Sequence, residues 1–219
     1  MNKMLVSLLT SLFIGSANAT AIEEHITNGG FETGDFYGWD IVNTGNGAWN
    51  INDGTFVPNN FGPLIPISGN FDAVTTQLGP GFHDLSQDIL LPSFIGTAIL
   101  SWDDRIRTSA FDFSDSNQEW RVLIEDLSGG LIAEVFSTNP GDSTLQTGPN
   151  HRAFDLTTLL QSFAGQSVRI SFEEQDNLNF FSATLDNVSF ITISEVPEPI
   201  TISLLGLGLV VIAFSHKRK

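Results

Sequence analysis

Acidic side chains are the most abundant groups in this sequence that could take part in chemistry. Asp and Glu together number 25 among 219 residues, and the adjacent pairs Asp103-Asp104 and Glu173-Glu174 are the best local candidates for a catalytic pair. Hydrolysis of a glycoside needs two carboxylates held across a cleft at a defined separation. Successive residues of a strand point to opposite faces of a sheet, so neither pair predicts a working acid and base.

Asp104 is better explained as one half of an ion pair. It shares a strand face with Trp102, and Arg105 and Arg107 follow it closely in the sequence. A carboxylate buried against a tryptophan needs a cation beside it, because removing an unpaired charge from water is costly. We therefore predict a structural ion pair between Asp104 and Arg105 or Arg107.

The other reactive side chains form no catalytic pattern. There is no cysteine to act as a thiol nucleophile, and no serine lies in a G-x-S-x-G turn. The histidines do not have the spacing of a metal motif such as H-E-x-x-H. The sequence therefore predicts a protein that is not an enzyme.

The distribution of charge excludes nucleic acid as a partner. All the acids lie between Glu23 and Glu198, and the same stretch contains five arginines and no lysine. Binding to phosphate needs a basic face, which this composition does not offer. An acidic body is compatible with an exported protein and with calcium, which takes hard oxygen ligands.

Strands are the elements that would position these groups. Three segments alternate between apolar and polar residues with the period of a strand, and clusters of turn residues separate short strands about every ten residues. The predicted inward-facing residues are Ala98, Leu100, Trp102 and Ile106, then Trp120, Val122 and Ile124, then Val168, Ile170 and Phe172. This pattern is typical of an all-β sandwich or barrel.

Further strands are predicted over 84–91, 131–137, 151–156 and 182–193, with a hairpin turn at 127–130 and one or two helical turns at 157–163. Two segments rich in Pro, Gly and Asn, 53–70 and 138–150, are predicted to be long surface loops. Such loops either connect strands only or form the rim of a binding face.

The N-terminus has the layout of a secretory signal peptide. Lys3 is followed by an apolar stretch over 4–14 and by Ala17-Asn18-Ala19, the A-x-A form that signal peptidase reads. We predict a cleaved signal helix over residues 1–19, with a retained membrane anchor as the alternative.

The C-terminal residues 196–219 combine three features of a sorting tail. Val196, Pro197, Glu198 and Pro199 form an extended tetrapeptide, because proline cannot continue a helix. The uncharged stretch 200–214 predicts one transmembrane helix, although roughly 22 Å of helix is short for a ~30 Å hydrocarbon core. The basic cluster 217–219 would hold its end on the cytoplasmic side.

This tail resembles the PEP-CTERM sorting signal, with Val196, Pro197, Glu198 and Pro199 as the motif residues. The resemblance implies an exosortase, a membrane transpeptidase-like enzyme, as a partner. It also implies that the chain is anchored transiently in the inner membrane. It also implies delivery to the cell surface or the extracellular matrix. A plain single-pass anchor with a chance V-P-E-P is the alternative.

The body, residues 22–194, resembles galactose-binding-like jelly-roll modules, many of which bind carbohydrate. The resemblance rests on I-T-N-G-G-F-E-T-G-D-F-Y-G-W at 26–39 and A-T-L-D-N-V-S-F-I at 183–191, which are similar to the opening and closing segments of these modules. H-D-L-S-Q-D-I at 83–89 and F-A-G-Q-S-V at 163–168 resemble segments between them. It implies a jelly-roll β-sandwich.

The same resemblance implies a structural calcium ion held by an early Glu and a late Asp, which correspond here to Glu32 and Asp186. Calcium takes roughly six to eight oxygens, so the nearby Asn28 and Asp35 are further candidate ligands. Alternatively, Glu32 and Asp186 accept hydrogen bonds from backbone N–H groups at turns. Many relatives have a second acid after the late Asp, where this chain has Asn187.

Three aromatic residues are candidates for binding a sugar. Aromatic faces stack on the apolar faces of sugar rings, and Trp49, with Phe56 and Phe61 in the following loop, lies among polar residues. Alternatively they pack in the core, as most aromatic residues of a sandwich do.

Together these features predict an exported, non-catalytic cell-surface or extracellular-matrix protein sorted through its tail. The alternative function is that of a carbohydrate-binding module that recognises exopolysaccharide. The partners expected are an exosortase-type membrane protease and extracellular polysaccharide.

Overall fold

The structure, a computed structural model, describes residues 18–57, 63–114 and 117–197, with side chains described between residues 20 and 194 of those ranges. The chain divides into two compact units. One unit is Ile22–Ser194. The other takes Met1–Ala21 and Glu195–Lys219, of which only residues 18–21 and 195–197 are described.

Two sheets make up the described chain. The first sheet has six strands in the order β3-β4-β11-β6-β9, with β1 also paired to β11. Its strands are β1 (Asn18–Glu24), β3 (Ala48–Asn52), β4 (Asp72–Leu78), β6 (Thr97–Thr108), β9 (Asn150–Asp155) and β11 (Phe180–Pro197).

The second sheet has five strands in the order β2-β5-β10-β7-β8. Its strands are β2 (Asp40–Gly45), β5 (Gly81–Leu90), β7 (Gln118–Glu125), β8 (Leu131–Ser137) and β10 (Ser167–Asp176). Every strand pair whose register is described is antiparallel. The predicted all-β sandwich is therefore confirmed.

The core lies between the two sheets and uses the faces that the alternation predicts. Every inward-facing residue predicted in the three alternating segments has no exposed surface: Ala98, Leu100, Trp102, Ile106, Trp120, Val122, Ile124, Val168, Ile170 and Phe172. Phe172 is central, since its ring contacts those of Trp39, Trp102 and Trp120.

The predicted short elements are also present. The β7–β8 turn closes where Asp126 N–H donates to the carbonyl of Gly130, and the helical turns are α1 (Thr157–Leu160) followed by a 3-10 turn at Gln161–Phe163. Strands β2, β3 and β4 are not predicted from the sequence. In β4 the buried residues include the polar Thr75 and Gln77, and β2 is exposed along its whole length.

A tight turn at the start of the sandwich packs directly against β11. Val188 N–H donates to the carbonyl of Gly29 at 2.9 Å, and a side chain at Gly29 would clash, since its Cβ would lie 1.9 Å from the carbonyl oxygen of Val188. Asn187 has a positive φ at a break in the β6–β11 register, between Asp186 and Ser189. The turn therefore brings Glu32 close to Asp186.

None of the helices among the described residues is long and apolar enough to span a membrane. The predicted signal helix and the predicted transmembrane segment 200–214 lie outside the described residues, except for residues 18 and 19 at the start of β1. The division of the chain into signal peptide, sandwich domain and tail stays a prediction.

Candidate functional site

The predicted metal ligands Glu32 and Asp186 lie on either side of Gly30. A Cβ placed on Gly30 would be 3.8 Å from Oδ1 of Asp186 and 3.9 Å from Cγ of Glu32. Both carboxylates contact the same stretch of chain, residues 65–71, which precedes β4 and is called the 65–71 segment below. The sequence resemblance thus identified two acids that the fold does bring together.

Asp186 is completely buried and binds the middle of the 65–71 segment. Its Oδ2 accepts hydrogen bonds from the backbone N–H and the hydroxyl of Ser68, both at 2.9 Å. Its Oδ1 accepts one from Asn187 N–H at 2.7 Å. Burial raises the pKa of Asp186 to about 6, in spite of these donors.

Glu32 binds the end of the same segment from the solvent side. Its Oε1 accepts hydrogen bonds from the N–H groups of Asn70 and Phe71 at 2.8 and 3.1 Å, and its Oε2 accepts one from the Asn70 side-chain amide at 3.0 Å. The hydrogen bond from Phe71 N–H and those from Asn70 lower the pKa of Glu32. Glu32 is therefore an ionised carboxylate in place at neutral pH.

Asp72, which the sequence does not single out, completes the attachment of this segment. Its Oδ2 accepts Ile67 N–H at 2.8 Å, and its Oδ1 accepts the side-chain amide of Asn52 at 2.7 Å. Arg105 Nη2 lies 3.8 Å from Asp72 and donates to the carbonyl of Ile65 at 3.0 Å. Burial raises the pKa of Asp72 to about 6.

The other two predicted ligands have their contacts in the turn that precedes β2. Asn28 donates from its amide to the carbonyl of Asp35 at 3.0 Å, and Asp35 Oδ1 accepts from Thr33 and from Tyr37 N–H. Among the described side chains, no group of three or more His, Cys, Asp and Glu is arranged to hold a metal ion.

Glu32 and Asp186 fit calcium by the type of their donor atoms, which are hard oxygens. Two carboxylates supply only part of its coordination shell, so backbone carbonyls and waters would have to supply the rest. The N–H groups that bind these carboxylates match the alternative interpretation, in which they hold turns.

Asp103 and Asp104 point to opposite faces of β6, as the strand rule predicts. Asp103 contacts Nδ1 of His151 and the side-chain amide of Asn187, each at 2.8 Å. Asp104 is completely buried and contacts Arg152, which also lies over the ring of Phe136. The predicted partners, Arg105 and Arg107, are therefore wrong. They stand one and three residues from Asp104 and so belong to the opposite face of the strand.

Glu173 and Glu174 are also separated by the sheet. Glu173 lies on the outer face of β10, where its Oε2 is 2.5 Å from Nε of Arg121. Glu174 lies between the sheets and accepts a hydrogen bond from the hydroxyl of Thr75. The two carboxylates cannot act on one substrate.

The structure corrects the expectation that Trp49 is open to a ligand. Trp49 is only 4% exposed, and its ring packs against that of Trp120 with centroids 5.9 Å apart. It faces inward because β3 pairs with β4, which places Trp49 opposite the buried Thr75. Phe56 is half-buried, and its role in binding stays a prediction; Phe61 lies outside the described residues.

The outer face of the second sheet carries a set of polar groups that the sequence did not single out, and their burial ranges from complete at Ser171 to exposed at Asp88. This polar face is formed by Asp84, Ser86, Asp88, Arg121, Glu125, Arg169, Ser171 and Glu173. Burial raises the pKa of the carboxyls of Asp84, Glu125 and Glu173. Partly desolvated carboxyls, hydroxyls and guanidinium groups side by side can hydrogen-bond a ligand rich in hydroxyl groups.

The sequence did contain a signal for the polar face. The polar positions of the alternating segments that form β7 and β10 include Arg121, Arg169, Ser171 and Glu173. The apolar positions of these segments predict the core, and the polar positions predict one outward face. The register then places Arg121 opposite Glu173.

Comparison with known proteins identifies the tail. Residues 195–219 match the PEP-CTERM protein-sorting motif. This span contains the predicted motif residues Val196, Pro197, Glu198 and Pro199, whose individual roles stay a prediction. Glu198 and Pro199 lie outside the described residues. The motif indicates an exported protein placed at the surface or outside the cell. A search of curated proteins gave no match.

Solved structures similar to this chain include an adhesin domain and carbohydrate-binding modules. The K3 cleaved adhesin domain of Lys-gingipain from Porphyromonas gingivalis W83 has 15% identity and a TM-score of 0.51, over 78% of this chain and 99% of that domain. TmCBM61 in complex with β-1,4-galactotriose has 14% identity and a TM-score of 0.48, over 79% of this chain and 99% of that one.

The CBM22-1 xylan-binding domain from Paenibacillus barcinonensis Xyn10C has 14% identity and a TM-score of 0.41, over 84% of this chain and all of that domain. Of these three, only the adhesin domain has a TM-score above 0.5, and at 15% identity the similarity to it concerns the fold alone.

Proposed function

We propose that this chain is a non-catalytic cell-surface or extracellular-matrix protein whose sandwich is released to the outside after an exosortase-type enzyme processes its tail. The observation that carries the proposal is the match of residues 195–219 to the PEP-CTERM protein-sorting motif. The stretch 200–214 would hold the chain in the inner membrane until that step, with the basic cluster 217–219 on the cytoplasmic side.

Replacing Pro197 and Glu198 with alanine is expected to block release. In a host with an exosortase, the wild-type chain should lose its tail and leave the membrane fraction, whereas the variant should keep its tail and stay there. The physical reason is that the tetrapeptide must stay extended to be recognised, and alanine in place of Pro197 permits helix. Mass spectrometry of fractionated cells measures both effects.

Thr201→Val is the matched control, because it alters the apolar stretch next to the motif and leaves the tetrapeptide intact. It should be released like wild type. Recovery of full-length wild-type chain from the cytosol of an exosortase-bearing host would contradict the proposal, and so would equal release of the Pro197 and Glu198 variant.

Binding of carbohydrate is the second candidate function, and the polar face supports it. Arg169 on this face pairs with Asp88 at 2.7 Å, and Arg121 pairs with Glu173 at 2.5 Å. Guanidinium–carboxylate pairs of this kind bind sugar hydroxyls, which both donate and accept hydrogen bonds. None of the eight residues of the polar face is aromatic, so recognition by them would depend on hydrogen bonds.

Arg169→Met should weaken binding to exopolysaccharide about tenfold, since a hydrogen bond to a charged group is worth roughly 1.5–3 kcal/mol. Isothermal titration with soluble polysaccharide from the host measures the affinity. Asp155→Asn, on the first sheet, is the control and should bind like wild type. If the wild-type protein binds no glycan, this second function is removed, and the sorting proposal is unaffected.

Calcium bound between Glu32 and Asp186 is part of the proposal. It is supported by the position of both carboxylates beside Gly30 and by the absence of a described cationic partner for either one. The N–H groups of the 65–71 segment donate hydrogen bonds to these carboxylates. A calcium ion bound there would therefore stabilise the contact between this segment and the two acids.

Chelation should lower the melting midpoint by about 5–10 °C relative to about 10 mM calcium, if the dissociation constant is near 0.1 mM. Calorimetry on the purified protein measures the shift. Glu32→Gln and Asp186→Asn should abolish the response, whereas Asp155→Asn should keep it. A midpoint that does not depend on calcium in wild type would remove the ion from the proposal.

A further inference from the structure

Four side chains close a ring between the two sheets near β3 and β7. Trp49 lies opposite Thr75 in the first sheet, and Glu174 lies opposite Trp120 in the second. The hydroxyl of Thr75 donates to Oε2 of Glu174, which joins the sheets on one side. The ring contact between Trp49 and Trp120 joins them on the other side.

Three polar atoms of this ring lack a hydrogen-bond partner in the part of the chain that the structure describes. They are Nε1 of Trp49, Nε1 of Trp120 and Oε1 of Glu174. All three side chains are at least nine-tenths buried, with exposures of 4%, 0% and 0%. A buried polar group without a hydrogen bond destabilises the folded state, so three such groups in one place would be strongly unfavourable.

The ring also contains the two kinds of group that a bridging molecule needs. The indole N–H groups donate, and the carboxyl oxygen of Glu174 accepts. Two further oxygen atoms nearby in the interior, Oε1 of Gln77 and Oδ2 of Asp176, are also buried and without a partner among the described residues.

We propose that buried water occupies this ring and bridges Glu174 to the indole N–H groups of Trp49 and Trp120. Buried waters in proteins typically make about three hydrogen bonds to polar groups that would otherwise be unsatisfied. One water accepting from an indole and donating to Oε1 of Glu174 satisfies two of the three atoms. The site is internal and distinct from the polar face and from the Glu32–Asp186 pair.

The four tryptophans of the chain provide their own controls. Nε1 of Trp102 donates to Asp104 at 2.9 Å, and Nε1 of Trp39 donates to the carbonyl of Asn28 at 3.2 Å. Trp49 and Trp120 are equally buried but lack such protein acceptors among the described residues. A difference in the indole N–H signals between Trp39 and Trp102 on one side and Trp49 and Trp120 on the other therefore reports what each N–H group contacts.

The test is rotating-frame cross-relaxation between water and the indole N–H protons of the full chain in detergent micelles, labelled with ¹⁵N at tryptophan. Single Trp→Phe variants assign the four resonances. We expect water cross-peaks at Trp49 and Trp120 and none at Trp39 and Trp102. The same peaks should persist in Glu174→Gln, which has no exchangeable carboxyl proton to imitate water.

Absence of the cross-peaks at Trp49 and Trp120 in wild type would overturn the proposal. Their loss in Glu174→Gln would also overturn it, because the carboxyl proton would then be their source.

Discussion

Raising the pH from 5 to 8 is expected to lower the free energy of unfolding by about 3–5 kcal/mol through Glu174 alone, because this carboxyl must keep its proton while it is buried. The carboxyl is completely buried, and burial raises its pKa from the usual 4.5 to about 8. Each pH unit over which the folded chain holds a proton that the unfolded chain has lost changes the free energy of unfolding by roughly 1–2 kcal/mol.

The direction follows from the order of the two pKa values. The folded state has the higher pKa, so the contribution of Glu174 is fully present below about pH 4.5 and is lost as the pH rises through about 8. The ionisable groups on the same inner face do not neutralise the negative charge of an ionised Glu174. Asp176 is a second acid that raises the pKa further, and burial lowers the pKa of His83, which favours neutral imidazole.

Glu174→Gln tests the assignment because it keeps the shape of the side chain and removes the proton. Urea unfolding at a series of pH values should give this variant a fall in stability between pH 5 and 8 that is smaller than that of wild type by about 3–5 kcal/mol, and greater stability than wild type at pH 8. The fall that remains comes from Asp72 and Asp186, whose pKa values burial raises to about 6. Asp155→Asn is the control. Hydrogen bonds from Thr157 lower the pKa of Asp155, so it is ionised throughout this range and its removal should leave the slope unchanged. An equal slope in Glu174→Gln and wild type would refute the role of Glu174.

The inner polar residues also explain which strands the sequence could predict. β6, β7 and β10 contain long stretches whose inward residues are apolar, and the period-two pattern identified them and their buried faces. β4 is different, since its inward residues Thr75 and Gln77 are polar. They form hydrogen bonds across the interior with Glu174 and Asp176. A pattern that equates apolar with inward cannot detect a strand whose core is held by hydrogen bonds.

The candidate sites depend on contacts between residues far apart in the chain. The sequence pointed to Glu32 and Asp186 through a resemblance, but not to the segment they bind. The bond from Ser68 to Asp186 spans 118 residues and the bond from Asn70 to Glu32 spans 38. Such pairings have no local pattern, whereas the alternation within one strand does.

The partner of Asp104 shows the same limit more sharply. Asp104 beside Trp102 predicts a buried ion pair, but closeness in sequence indicates the wrong arginines, Arg105 and Arg107. On a strand, sequence neighbours at odd spacing lie on the opposite face, and the cation comes from Arg152 of the adjacent strand β9. The face rule that rejected catalytic pairs also rejects these two partners.

Asp104→Asn is expected to lower the free energy of unfolding by about 3–5 kcal/mol, because it leaves Arg152 without its counter-charge. Oδ1 of Asp104 accepts from Nη2 of Arg152 at 3.1 Å and from Asn150 at 2.9 Å, and Oδ2 accepts from Nε1 of Trp102 at 2.9 Å and also from Nε of Arg152. The amide nitrogen of asparagine must face one of these donors, so at least one hydrogen bond becomes a repulsion.

Asp88→Asn provides the matched comparison, since it removes the same charge from an aspartate that also pairs with an arginine. Asp88 and Arg169 keep 41% and 28% of their side-chain surface exposed, whereas Asp104 has none and Arg152 has 19%. Water can solvate Arg169 once its partner is gone, so this variant should cost at most about 1 kcal/mol. Urea unfolding at pH 7 measures both variants. Equal losses would mean that burial does not determine the strength of the Asp104–Arg152 pair. A larger loss in Asp104→Asn would establish that this buried ion pair stabilises the pairing of β6 with β9.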